Sequence, residues 1–150
     1  MKTYPIAILL ITSISLFSCQ KAIYLPENTV FVYTQQQGFT GKMRSIIVGT
    51  SLKYMQNHSL AKNAEMVKVS PEQIQEILQV FEKEKFEEIQ TQQIAVNDRG
   101  GVQIEMIDMR YNIRYVKSNI ANNWIVQADQ SRFKACQSIL EKYIPLYPER

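Results

Sequence analysis

Ser70-Pro71-Glu72-Gln73-Ile74-Gln75-Glu76-Ile77-Leu78-Gln79-Val80-Phe81 combines a helix start with an amphipathic repeat. Ser70 offers a hydroxyl to cap the first turn, and Pro71 suits the first helical position, where no backbone N–H is needed. Glu72 complements the positive end of the helix dipole, and Gln73 completes a capping box with Ser70. Ile74, Ile77, Leu78 and Phe81 then recur at helical spacing and form one apolar stripe. Such a helix buries one face only, so it needs a sheet or a second helix to cover it. Phe86 and Ile89 continue the packing where the helix loosens. The opposite face carries Glu72, Glu76, Glu82, Glu84, Glu87 and Glu88 against Lys83 and Lys85, and reads as a solvated acidic surface.

Upstream, residues 29–34 (TVFVYT) are β-branched and aromatic and read as a strand. Residues 35–41 (QQQGFTG) are a polar, glycine-bearing hairpin loop, and 43–48 (MRSIIV) are the returning strand. Gly49-Thr50 turns the chain into a weaker extended segment, 51–55; a polar loop follows to about residue 65, and 66–69 is extended. Downstream, 97–101 (NDRGG) is a turn. Val102, Ile104 and Met106 alternate with Gln103 and Glu105 as in a half-buried strand. Residues 108–112 connect to a partner strand at 113–116, and Trp124-Ile125-Val126 reads as extended or as cover for a sheet edge. Asp129 or Ser131 caps a last helix bearing Phe133, Cys136, Ile139, Leu140, Tyr143 and Ile144, which Pro145 stops. The order ββ(β)α ββ α predicts an α+β, two-layer domain over residues 29–150. Its antiparallel sheet of about four to five strands is packed by two helices.

The first nineteen residues have another character. Met1-Lys2 is short and basic, and an apolar run from Pro5 to Phe17 is too short for the roughly 20 residues that span a bilayer. This is the pattern of an export signal. Its end, Leu16-Phe17-Ser18-Cys19, resembles the bacterial lipobox, with Phe17 where a small or β-branched residue is commoner. The resemblance implies removal of residues 1–18, a diacylglycerol thioether on Cys19 and acylation of the new amine. Residues 19–28 become a short lipidated tether. One acyl chain binds a membrane marginally, whereas two or three hold stably. Gln20, in place of aspartate, points by the same resemblance to the outer membrane of the envelope. The expected partner is therefore the membrane, through the lipid on Cys19.

Removing the signal leaves about 130 residues, enough for one core. Charge falls from +3 to +2, because Lys2 leaves and no acid does. That balance points to no nucleic-acid partner. With Cys19 acylated, Cys136 is the remaining thiol, and its apolar helical position reads as burial rather than reactivity.

A strand, a Gly-Phe-x-Gly loop, a second strand and a Ser-Pro-Glu helix together resemble the emfourin family, small inhibitors of thermolysin-type metalloproteases. The matching residues are Val30 to Tyr33, Gln37-Gly38-Phe39-Thr40-Gly41, Ile46 to Val48 and Ser70 to Phe81. Asp98 before the strand 102–107 continues the order. The likeness covers roughly residues 29–144. It departs at Gln37, where many relatives carry a glycine, and in a longer segment between Gly49 and Ser70. It implies the two-layer fold, and inhibition of a secreted thermolysin-type protease as the protein partner. The candidate binding residues are Gly38, Phe39, Thr40 and Gly41. Read physically, the glycines permit positive φ, and Phe39 between them is either presented outward as an anchor or folded back over the sheet.

No His-Glu-x-x-His, Gly-x-Ser-x-Gly or phosphate-cradling glycine loop occurs. The one histidine, His58, lies in a polar stretch and reads as a surface residue, so no catalytic residue, metal ligand or cofactor is assigned. Glu105 and Asp108 do not read as a glycosidase pair. Tyr111, Tyr115 and Trp124 could line a carbohydrate platform, although aromatics on strands are more often core; Arg110, Arg114 and Lys117 could bind an anion. The sequence thus reads as a lipid-anchored, non-enzymatic envelope protein, a binding or structural module. A small envelope hydrolase using His58, or a carbohydrate-binding lipoprotein, is the alternative.

Overall fold

Ser70 closes the capping box as its spacing predicts. In the computed structural model, which describes residues 23–38, 41–56, 63–95 and 100–145, the Gln73 N–H donates to Ser70 Oγ at 3.3 Å. The Ser70 N–H donates to Gln73 Oε1 at 2.8 Å. Ser70→Ala removes one acceptor from the first turn and should lower stability by about 1 kcal/mol. Urea unfolding of the two proteins checks this.

The described residues form β1 (Thr29–Gln36), β2 (Met43–Gly49), a one-turn helix α1 (Leu52–Gln56), β3 (Ala64–Lys68) and α2 (Pro71–Lys83). After these come β4 (Thr91–Gln93), β5 (Gly101–Asp108), β6 (Ile113–Ser118), β7 (Asn123–Ile125) and α3 (Gln130–Glu141). The main sheet has the order β3-β2-β1-β5-β6, and β4 pairs with β7 in a small second sheet. The fold is α+β, with α2 and α3 laid on one face of the sheet. Its pairings are antiparallel except one: β3 runs parallel to β2, aligning Ile47 with Met66 and Val48 with Val67. The sheet is therefore mixed, because β3 begins beside Ser45, near the start of β2, and ends beside Gly49, where β2 ends.

Period-two alternation sorts the sheet residues. Across the helix-facing side, Val67, Val48, Phe31, Met106 and Tyr115 lie in one row, and Ile46, Tyr33 and Ile104 in the next. Against them pack Ile74, Ile77, Leu78 and Phe81 of α2 and Phe133, Cys136 and Leu140 of α3, with Phe86, Ile89 and Ile125. The rings of Phe31 and Phe81 meet edge-on at 4.9 Å, and Phe81 lies 4.6 Å from Phe86. Each such ring pair adds about 0.5–1.5 kcal/mol beyond the area it buries.

Residues 51–55, expected to be extended, instead form most of α1. Their function is packing: Met55 is fully buried against Val30, Val32, Ile47 and Ile107 on the far side of the sheet. A stretch of five residues gives too little periodicity to separate a helical turn from a strand. Glu105 also departs from a half-buried alternation. It lies on that far face, paired with Val32 and Val116, and is only 1% exposed. At the other helix, Asp129 stands at the N-cap position but its side chain makes no cap bond. Its carboxylate accepts instead from the Gln90 N–H and from Arg132. Arg132 also donates to the carbonyls of Glu84 and Lys85, which finish α2, where Lys85 takes a left-handed conformation (φ 49°). α3 thus satisfies the end of α2.

Candidate functional site

The chain enters the domain through Ile23, Tyr24 and Leu25, which precede a 3-10 turn at Pro26–Asn28. Polar side chains from remote elements pin this entry. Arg110, in the β5–β6 turn, donates to the Ile23 carbonyl at 2.8 Å. The Tyr24 hydroxyl donates to Glu87 at 2.5 Å. Burial, together with bonds to Glu87 and Tyr115, pushes the Tyr24 phenol well above its ordinary range, so it stays a donor. Thr29 Oγ1 donates back to the Leu25 carbonyl at 2.9 Å, closing the turn. Between this entry segment, the last turns of α2 and the turn at Phe86–Glu88 lies a cavity of about 360 Å³. Leu78, Phe81, Phe86 and Met106 form its walls, and Glu82, Glu87 and Glu88 with Lys85 its rim. Its size falls within the range of small-molecule pockets, and its walls are mostly apolar, as such pockets are.

The Gly38–Gly41 loop lies at the opposite end of β1. The Gln37 N–H donates to the Lys42 carbonyl at 2.9 Å, and the Gly41 N–H to the Gly38 carbonyl at 2.8 Å. Gly41 has φ 61°, the left-handed conformation that costs other residues roughly 1–2 kcal/mol. Gly100 abuts the same loop: a Cβ there would stand 2.6 Å from the Gly38 nitrogen. Gly41 thus has a conformational reason to be glycine and Gly100 a packing one. Phe39 and Thr40 lie outside the described residues, as do Cys19, His58 and Asp98.

The remaining candidates are dispersed. Glu105 accepts from Arg114 at 2.7–2.8 Å and from Gln103 at 3.0 Å. Asp108, 1% exposed, is held by Arg110 at 2.8 Å. Burial alone would raise the Asp108 carboxyl, but hydrogen bonds and charge from Arg110 outweigh it and hold the group below the usual range. Each acid therefore has its own arginine. Lys117 donates to the Glu87 and Ile89 carbonyls, and its burial lowers its pKa. Tyr111 is exposed in a turn, Tyr115 packs against the core, and Trp124 lies in the second sheet opposite Gln92, so the three aromatics share no face. Burial pushes the Cys136 thiol up to about 12, with Glu84 adding to the effect, which leaves it protonated and inert.

Among the described residues no buried side-chain N or O lacks a hydrogen-bond partner, and no cluster of three His, Cys, Asp or Glu side chains could hold a metal. No helix among them is long and apolar enough to cross a membrane. Sequence reading missed the cavity because Ile23 to Pro26 read as tether and the acids of α2 as solvated surface. The signal available was the clustering of Tyr24, Leu25 and Pro26 in a segment read as a tether. No protein-family model, curated protein or solved structure matches this chain.

Proposed function

We propose that the mature chain is a lipid-anchored module of the bacterial envelope, attached through Cys19 and acting by binding rather than by catalysis. The observation that carries the reading is Leu16-Phe17-Ser18-Cys19 at the end of an export signal. In keeping with it, Ile23 and Tyr24, four and five residues after the cysteine, are held against the domain by Arg110 and Glu87. A domain this close to its anchor sits against the lipid surface. Gln20 favours the outer membrane as its location. The finer form of the proposal is an inhibitor-like domain that presents the Gly38–Gly41 loop to a secreted thermolysin-type protease. The bonds at the loop's base and the abutment of Gly100 on Gly38 support this, because a base already held in place loses less entropy on binding.

Intact mass of the purified wild type should show the added fatty chains, and Cys19→Ser should lose envelope attachment in fractionation. A mass equal to the bare polypeptide would refute the anchor. For the finer form, the purified protein should slow a thermolysin-type protease and Phe39→Ala should not. Equal inhibition by both proteins, or by neither, would remove the loop from the proposal.

A further inference from the structure

We infer that the cavity beside Ile23 is a docking place for one of the protein's own fatty chains, carried on Cys19. The inference rests on the lipidated reading of Cys19. Reach is the first argument. Cys19 precedes Ile23 by four residues, and four residues extend to roughly 13–14 Å. Ile23 itself lines the cavity, and Arg110 and Glu87 fix Ile23 and Tyr24 in place. The attachment point therefore cannot stray far from the opening.

Volume is the second. A water's share of liquid volume is ~30 Å³, and a methylene is similar in size, so about 360 Å³ accepts about a dozen such groups. That suits most of one chain and leaves the others free. Charge is the third. Three carboxylates against one lysine make the rim acidic. A free fatty acid or a phospholipid would bring an anionic head against Glu82, Glu87 and Glu88. The chains on a lipidated cysteine end in esters and an amide, which carry no charge. Leu78, Phe81, Phe86 and Met106 supply the apolar contact. Cavity and bilayer are both apolar, so the chain moves between them at little cost. Away from the membrane, the docked position hides it from water.

The test is metabolic labelling with a palmitate analogue carrying a diazirine, followed by irradiation of the full-length protein in the envelope and after extraction. Peptide mapping should then find the cross-link on Leu78, Phe86 or Met106. Gln75→Trp, which adds bulk at an exposed lining position, should reduce that cross-link about tenfold, equivalent to ~1.4 kcal/mol of docking. Gln79→Trp, exposed on the same helix but outside the cavity, should leave it unchanged. If label enters the protein but reacts only with lipid or distant residues, docking is wrong and lipidation stands. If no label enters the protein, the lipidated reading fails and docking falls with it. Equal yields from the two tryptophan variants would also overturn the docking site.

Discussion

Phe81→Ala is expected to cost about 3–5 kcal/mol, the range for deleting a buried aromatic ring. Phe81 is 2% exposed and touches the core on two sides, meeting Phe31 edge-on and Phe86 at a tilt. Truncation removes both ring pairs together with the buried area. The hole cannot close, because β1 lies beneath it and strand backbone does not collapse to fill a void. It would instead join the cavity that Phe81 already lines, and admit water to the core. Gln79→Ala, on the solvent side of the same helix, should stay within about 0.5 kcal/mol. Urea unfolding of the three proteins gives the comparison. A Phe81→Ala loss below about 1 kcal/mol would mean that the ring does not hold helix to sheet.

The second large effect is expected from Arg110→Met. Removing one partner of a fully buried ion pair costs about 3–5 kcal/mol, because the other charge is left without compensation. Asp108 is buried, whereas Arg110 is partly exposed and its backbone N–H keeps donating to Asp108, so about 2–3 kcal/mol is the expected loss at pH 7. Its pH dependence has a defined sign. In the wild type the Asp108 carboxyl is held below the ordinary value of about 3.9, so its stabilising contribution is present above that pH. That contribution is lost as pH falls toward and through the folded-state value. In the variant, the guanidinium is gone and burial is opposed only by the backbone N–H groups of residues 110 and 111, so the carboxyl rises and ionisation near neutral pH is penalised. The stability difference between the two proteins should therefore be largest at neutral pH and shrink on acidification to about pH 3. Adding Asp108→Asn to Arg110→Met removes the stranded charge and should recover part of the loss. A difference that stays flat with pH would show that the carboxylate is not the cause.

How far the sequence could be read depends on whether a signal was local. The capping box of α2, its stripe and both long hairpins are written in neighbouring residues, and they appear where the spacing puts them. β3's direction is not local: nothing in Ala64 to Lys68 states whether it runs with or against β2. β4 is hidden for a similar reason, since Thr91-Gln92-Gln93 has no buried residue and is a strand only because β7 pairs with it. The arginines show a third limit. Arg110 and Arg114 suggest an anion site and Arg132 suggests nothing, yet each bonds a carboxylate or a carbonyl that the fold brings to it. The candidate site was legible only as separate pieces. The lipobox-like Leu16 to Cys19 and the glycine loop are visible as motifs. The cavity arises from Tyr24, Leu78 and Phe86 meeting across more than sixty residues.

β1 sets a distance as well as a core. Its eight residues rise roughly 26 Å from the tether end to the glycine loop. With the chain anchored at Cys19 as proposed, the foot of β1, tied to Arg110 and Glu87 through Ile23 and Tyr24, would lie near the bilayer, and the far end of β1 up to that distance from it. Lengthening β1 and β2 by two residues each would carry that far end about 7 Å farther from the foot.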